Sequence, residues 1–578
     1  MSLSRNAASS SAHFILRGSP YTSPTAPVGD KELFVKTHAR VTALLTALAI
    51  PAALAAQPAQ KPKLLVAISV DQFSANVFAE YRPLFKDGMK RLQDGVVFPS
   101  GYQSHAATET CPGHSTILTG SHPARTGIIA NNWFDLSLGR EDKKVYCSED
   151  TDAPGSNSDK YVVSTKLLKV PTLGDRLKTA DPAARVVAVA GKDRAAVMMG
   201  GHETDQMWFW GGKSYVTLAD RTAAPPATVN AINARVAALI AKPAKATLPA
   251  QCRSRSVAVP VSTAQQVGVL ADRKAEDFRS FRAASDFDAA TTDLAIGLMK
   301  ELKLGQGAST DVLTIGLSAT DYVGHGFGTE GAEMCAQMVG LDANIGRILS
   351  ALDASGVPYA VVLTADHGGH DLPERNKQRG FADAERVDVA LLPGNFGKAL
   401  AGELGLNIDG PLFYGDGPFG DWYLSKAVSN TQRDRVLALA KAKLLAHPQV
   451  AAVLTKEELR RVADPKPPVE EWDLAQRSRA SFDPERSGDL VVLLKSHVTP
   501  ISKPGPGYVA THGSPWIYDR RVPIIFYRPG TTGFEQPLGV ETVDILPTLA
   551  SLVELKVPAE EIDGRCLDLD AGTGSTCP

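Results

Sequence analysis

The stretch LLVAISVD, Leu64 to Asp71, is an almost continuous apolar run that stops on an aspartate. A run so short and so little interrupted suits a strand buried on both faces, as in a parallel sheet covered by helices. Runs of the same kind recur at Arg185–Ala190 (RVVAVA), Val312–Leu317 (VLTIGL), Tyr359–Thr364 (YAVVLT), Asp489–Leu494 (DLVVLL) and Val522–Phe526 (VPIIF). Amphipathic helical patterns lie between them, at Phe287–Leu302, Glu333–Leu352 and Val540–Leu552. Strand–helix alternation predicts a layered α/β fold around a mostly parallel sheet. Three regions break the alternation. Residues 201–218, with their MWFWGG, read as a hairpin. Residues 221–274 mix one helix with Pro/Ala-rich linker. Residues 380–487 hold irregular pieces, a helix over Gln432–Ala446 and the charged linker ADPKPPVEEWD. The expected organisation is one core with insertions or caps at about 201–274 and 380–487.

At roughly 100–200 residues per domain, 578 residues allow two to four domains or one large α/β domain with insertions. The 44% hydrophobic and 21% charged content excludes a disordered or fibrous chain. Basic residues number 61 and acidic ones 63, for a net charge of -2, so there is no global basic footprint and no nucleic-acid binding is expected. Anionic small substrates need only a few local cations.

Residues Lys36–Arg40 are basic, Val41–Ala56 are apolar, and Ala53-Leu54-Ala55 supplies a small-residue cleavage pattern. This is the layout of a secretory signal peptide over residues 35–56, cleaved near Ala55 or Ala56. The run is shorter than the ~20 residues of a spanning helix and contains Pro51, so no membrane anchor is expected after cleavage. A periplasmic or secreted location follows. Residues 1–34, polar and Ser/Pro-rich, read as a disordered extension or as the product of a misplaced start codon. Export permits disulfides. Of the six cysteines, Cys566 and Cys577 are candidates for a local bridge, Cys147 and Cys252 lie in loop-like stretches and form another candidate pair, and Cys335 reads as a buried thiol in a helix. No CxxC pair supports a thiolate metal site.

Ligands of open α/β sheets bind beyond the carboxyl ends of the strands. After LLVAISV comes Asp71, after VLTIGLSAT come Asp321 and His325, after YAVVLTA come Asp366 and His367, and His512 sits in ATHGSP. Carboxylates and imidazoles are suitable zinc ligands. Asp321 and His325 are four apart, so one helical turn puts both on one face. Asp366 and His367 are adjacent and converge only if the chain turns, for which Gly368-Gly369 offers conformational freedom. In TETCPGHSTILTGSHPARTGIIANN, Thr110 precedes Pro112-Gly113 and a helical pattern. A hydroxyl at a helix N-terminus shares the free N–H groups that favour phosphate, though it is a weak nucleophile until a base or metal activates it. The alternative is a simple N-cap. Cys111 would need electropositive activation to react. Directly after RVVAVA, Lys192 and Arg194 in GKDR can clamp a dianion. The alternative there is a solvated loop.

Taken together, SVDQF (Ser69–Phe73), the Thr108–Ile128 segment, GKDR, DYVGH (Asp321–His325), TADHGG (Thr364–Gly369) and THGSPWIYDRRVPIIF (Thr511–Phe526) resemble the alkaline phosphatase superfamily. Within it they look most like the threonine-nucleophile bacterial enzymes of the Sphingomonas and flavobacterial type. The resemblance runs from about Lys63 to the end. It implies a three-layer alkaline-phosphatase-like core with inserted cap segments, catalytic over residues 57–578. It implies two Zn2+ per chain, one on Asp321, His325 and His512, the other on Asp71, Asp366 and His367 with Thr110, and no magnesium site. Asn131, Lys192 and Arg194 match the family's phosphate contacts. The activity implied is hydrolysis of small phosphate monoesters by two in-line displacements through a phosphothreonine on Thr110. A phosphodiesterase of the same superfamily is the alternative, and a catalytically dead zinc-stabilised binding protein a minor one. A sulfatase fails on its residue pattern, since Cys111-Pro112-Gly113 is not C/S-x-P-x-R. Monomer and homodimer both stay open. His114 and His122 read as ordering the Thr110 loop, His370 as supporting the metal turn, and Trp208 and Trp210 as lining the site or packing a hairpin.

Overall fold

The run Leu64–Val70 forms the centre of a ten-stranded sheet. The computed structural model describes residues 60–578. The expected extension over residues 1–34 and the signal peptide at 35–56 lie outside the described residues. The Leu64–Val70 strand pairs in parallel with Asp311–Leu317 on one side and Tyr359–Thr364 on the other. Asp311–Leu317 in turn pairs with Val186–Ala190, and that strand with Gln206–Trp210, all parallel. Alternate residues explain why these runs carry no polar face. Leu64, Val66, Ile68 and Val70 pack into one core, under the helices Ala75–Tyr81, Ser285–Glu301 and Ala332–Ser355, whereas Leu65 and Ala67 pack into a second core with Leu546 and Leu549 of the helix Ile545–Leu552. Helices therefore cover both faces, as the alternation predicts.

Arg521–Tyr527 runs antiparallel to Tyr359–Thr364 and joins it to Val96–Tyr102. Val96–Tyr102 (VVFPSGY) is hidden from a hydropathy reading by Pro99 and Gly101. Its register against Arg521–Tyr527 shifts between Val522 and Ile524, opposite this stretch, and a bulge is where a strand tolerates proline. Residues 201–218 do form a hairpin, Gln206–Trp210 with Tyr215–Val216, but it extends the central sheet rather than standing off it. Trp208 and Trp210 pack into the first core, Trp210 against Phe281 and Phe287.

Asp489–Leu494 corrects the sequence reading. Its strand, Leu490–Leu494, lies in a separate four-stranded sheet, antiparallel to Gly420–Leu424 and Val450–Thr455. Its apolarity serves another core, built with Trp422, Val436 and Leu444. Two cysteine expectations also fail. Cys147 bonds Cys111, and Cys252 bonds Cys335, because the fold brings the first turn of the Ala332–Ser355 helix against residues 250–255; Cys566 and Cys577 pair as expected. With Cys111 in a disulfide, its thiol is no nucleophile.

Candidate active site

Parallel strands end on the same edge of a sheet, so their following residues meet. In spatial order, Tyr359–Thr364 delivers Asp366, Leu64–Val70 delivers Asp71, Asp311–Leu317 delivers Asp321 and Val186–Ala190 delivers Lys192. Arg521–Tyr527 is antiparallel and starts where its neighbour ends, which brings in His512 from the preceding loop. Val96–Tyr102 leaves at the same edge and leads to Thr110.

Two groups of ligand atoms form there, Asp321 with His325 and His512, and Asp71 with Asp366 and His367, each within 4.8 Å of one another. Asp321 and His325 share a face of the helix Ala319–Phe327, as their spacing requires. Asp366 and His367 converge in the turn after their strand. Here the reason for Gly368-Gly369 differs from the one expected. Neither glycine has a left-handed φ; a Cβ on Gly368 would stand 2.2 Å from the Tyr518 carbonyl oxygen, and one on Gly369 would be 2.7 Å from the Gln72 side chain. Close packing excludes a side chain.

The three histidines are held alike. His325 Nδ1 lies 2.9 Å from the Ala510 carbonyl oxygen, His367 Nδ1 2.8 Å from that of Gly368, and His512 Nδ1 2.9 Å from that of Thr108. A carbonyl accepts only, so each Nδ1 carries a proton and Nε2 is the atom left to bind a metal once the ring is neutral, the arrangement that metal-ligating histidines share. The Nε2 atoms face carboxylates, His325 at 3.2 Å and His512 at 3.4 Å from Asp321 Oδ1, and His367 at 3.2 Å from Asp366 Oδ2. Asp71 Oδ1, Asp321 Oδ1 and Asp366 Oδ2 are buried and accept no hydrogen bond. Burial and the neighbouring Asp366 push the Asp71 carboxyl well above its ordinary range. Burial would raise Asp321 too, but His325 and Lys192 overcome it and hold it well below. Three buried carboxylates against one lysine leave negative charge that a dry site tolerates only with cations. The donor set therefore fits two small divalent ions.

Thr110 opens the helix Thr110–Ile117, every residue of which is buried; Glu109, not Thr110, is the N-cap. Thr110 Oγ1 lies 3.5 Å from His367 Nε2 and 3.5 Å from Arg194 Nη2. Lys192 stands elsewhere: its Nζ bridges the two ligand groups, 2.7 Å from Asp71 Oδ2 and 2.5 Å from Asp321 Oδ2, over the Tyr322 ring. Asn131 accepts the Cys111 N–H on Oδ1 at 2.8 Å and donates its own N–H to Glu109 Oε2 at 2.6 Å. His114 Nδ1 touches both the Thr110 carbonyl oxygen, at 2.9 Å, and Asp366 Oδ2, at 3.1 Å, so it orders the loop as expected. His122 instead meets Glu541 and Asp563, and His370 meets Thr499. Sequence reading missed Glu109, Tyr146 and Tyr322. Only Tyr322 left a signal, its place beside Asp321.

The sequence profile of the type I phosphodiesterase / nucleotide pyrophosphatase family matches residues 65–515. The chain is 56% identical to alkaline phosphatase PhoD of Zymomonas mobilis over 519 residues, covering 89% of each protein. It is 54% identical to alkaline phosphatase PhoK of a Sphingomonas species over 523 residues, covering 90% of this chain and 93% of the relative. The crystal structure of wild-type alkaline phosphatase PafA superposes with a TM-score of 0.75 at 25% identity, covering 88% of this chain and 98% of that one.

Proposed function

From the premise that the chain belongs to the type I phosphodiesterase / nucleotide pyrophosphatase family, within the alkaline phosphatase superfamily, we propose that it is an exported, zinc-dependent phosphate-monoester hydrolase working through Thr110. The observation that carries this reading is the position of the Thr110 hydroxyl, between a group of metal-type ligands and a guanidinium. Asp321, His325 and His512 would hold one zinc ion, and Asp71, Asp366 and His367 the other. Bound there, the ions supply Lewis acidity, lowering the pKa of a hydroxyl or water and neutralising charge on the phosphoryl oxygens.

The chain's own groups account for the rest. Thr110 Oγ gives up its proton to solvent and attacks phosphorus, the ester P–O bond breaks on the opposite side, the alcohol departs after taking a proton from solvent, and a phosphothreonine results. Water then attacks that phosphorus, the P–Oγ bond breaks, inorganic phosphate leaves and a proton from the water restores the hydroxyl. Arg194 Nη2, already beside Oγ1, meets an equatorial oxygen, and Asn131, its Oδ1 engaged by Cys111, has Nδ2 left to donate to another. Lys192, on Asp71 and Asp321, adds positive charge behind them. A monoester dianion uses all of this, whereas a diester offers one anionic charge fewer. The basic and apolar residues 35–56 support export, and the three disulfides suit an oxidising compartment. Among the described residues no helix is long and apolar enough to cross a membrane.

The test compares kcat/KM of the zinc-loaded protein on an aryl phosphate monoester and on the matching diester, with Thr110→Ala alongside. The expected result is a large monoester preference, and a variant that forms no phosphothreonine yet keeps its metal. Diester preference would make it a phosphodiesterase instead. Near-wild-type turnover in Thr110→Ala would refute the nucleophile.

A further inference from the structure

The short strand Lys144–Tyr146 and the cysteine after it reach Arg194, Asn131 and, through a disulfide, the neighbour of Thr110. Tyr146 is buried, and its hydroxyl donates to Asp193 Oδ1 at 2.8 Å while accepting from Arg194 Nη1 at 3.3 Å. Asp193 Oδ1 also accepts the backbone N–H of Arg194 at 2.8 Å, so phenol, carboxylate and guanidinium close a ring on the first turn of the helix Asp193–Gly200. The Arg194 Nε is buried without a partner, and Tyr146 and Asp193 are the groups nearest in effect on its charge. The phenol is thus a principal fixed contact of that side chain besides Thr110. The next residue, Cys147, is joined by a disulfide to Cys111, the neighbour of Thr110, and donates its N–H to the Asn131 carbonyl oxygen at 3.0 Å. Cys111 in turn donates its N–H to Asn131 Oδ1. The Tyr146 ring is itself held, packed at a tilt against Tyr161 with centroids 4.2 Å apart, in a strand paired with Asn132–Phe134.

We propose that Tyr146 is a positioning residue for phosphoryl transfer: its hydroxyl fixes the Arg194 guanidinium, and its strand, stapled through Cys147 to Cys111, sets the spacing of Arg194 from Thr110 and Asn131. The inference rests on the phosphomonoesterase reading above. An arginine held at one end by a neutral phenol loses no charge when that hydroxyl is removed; it loses its orientation. The cost should fall on the substrate that depends on Arg194, the dianion, because orientation within a fraction of an ångström is what makes a fixed donor effective in the transition state.

Tyr146→Phe keeps the ring, its packing against Tyr161 and the disulfide. On zinc-loaded protein it should lower kcat/KM for an aryl phosphate monoester about tenfold, the scale of one hydrogen bond to a charged group, and the matching diester by less than about threefold. Combined with Arg194→Ala it should add almost nothing, since two groups acting through one interaction are not additive. Equal losses on both substrates, full additivity with Arg194→Ala, or loss of bound metal in Tyr146→Phe would each overturn the assignment and leave Tyr146 a packing residue. A wild-type protein that prefers the diester, or turns over neither ester, fails the monoesterase reading and takes this one with it. A wild type that prefers the monoester beside an unaltered Tyr146→Phe overturns Tyr146 alone.

Discussion

His105 shows how a single side chain near the site sets a condition on the whole fold. It lies in the loop from Val96–Tyr102 to the Thr110 helix, fully buried, and neither ring nitrogen makes a hydrogen bond. Burial, reinforced by His122 and Arg520 nearby, holds its pKa well below the ordinary 6.5. The folded protein therefore keeps His105 neutral, while the unfolded chain takes up a proton as pH falls through about 6.5. The unfolded state binds the extra proton, so stability is intact above that pH and is lost below it, by about 1.4 kcal/mol per pH unit for one group. Urea unfolding at a series of pH values from 8 to 5 should show this decline, and His105→Gln should flatten it by about one proton's worth of slope, whatever it does to stability at pH 8. An unchanged slope would mean that His105 titrates alike in both states.

At the scale of elements, the decisive contact is backbone on backbone. A Cβ added to Gly113 would stand 1.8 Å from the Asp366 carbonyl oxygen, so the Thr110 helix lies directly on the metal turn, and the turn lies as closely on Tyr518 through Gly368. The Gly113→Ala variant must push helix and turn apart. Overpacking of this kind costs about 1–3 kcal/mol, and a displacement of even ~1 Å costs about a hundredfold in rate. Gly113→Ala should therefore lose more activity than stability, measured as kcat on a phosphate monoester against the urea midpoint, whereas an active variant would show that the helix can move freely. The sequence carried the motif around Gly113 but not this reason for it, because the clashing atom belongs to a residue some 250 positions away. The same holds elsewhere. Leu64–Val70 and its parallel neighbours were legible because burial on both faces leaves a local mark, and Asp321 and His325 because a helix turn does. Val96–Tyr102 was not, since a bulge let Pro99 into it. Leu490–Leu494 was read into the wrong sheet, since hydropathy reports that a strand is buried and not against what. Cysteine partners depend wholly on tertiary contact, and two of three bridges joined residues whose pairing no spacing marks.

Across the whole molecule, residues from Asp71 to His512 meet because the sheet aligns strand ends that the sequence scatters. That convergence has an electrostatic consequence. Asp71, Asp321 and Asp366 are buried together, with Lys192 the cation touching the first two. Histidines whose Nδ1 protons are engaged by backbone carbonyls turn Nε2 toward the carboxylates, where a bound metal would take the place of any proton they hold. A fold that draws such a set together without cations works against its own charge, so ions that bind the native site and not the unfolded chain must stabilise it. At free metal a thousandfold above Kd, linkage gives about 4 kcal/mol per site. Stripping the metal with a chelator should lower the unfolding free energy, read from urea titrations, by several kcal/mol in total. Zinc should restore it with a stoichiometry of two per chain, readable by elemental analysis independently of turnover. The loss should be partial in Asp321→Ala, which dismantles one ligand group, and should retain the step due to the other. A metal-free protein as stable as the loaded one would mean that the carboxylates are already neutralised within the fold, with Asp71 protonated and Lys192 sufficing for Asp321. The two clusters would then have to be explained as a hydrogen-bonded network rather than as metal sites.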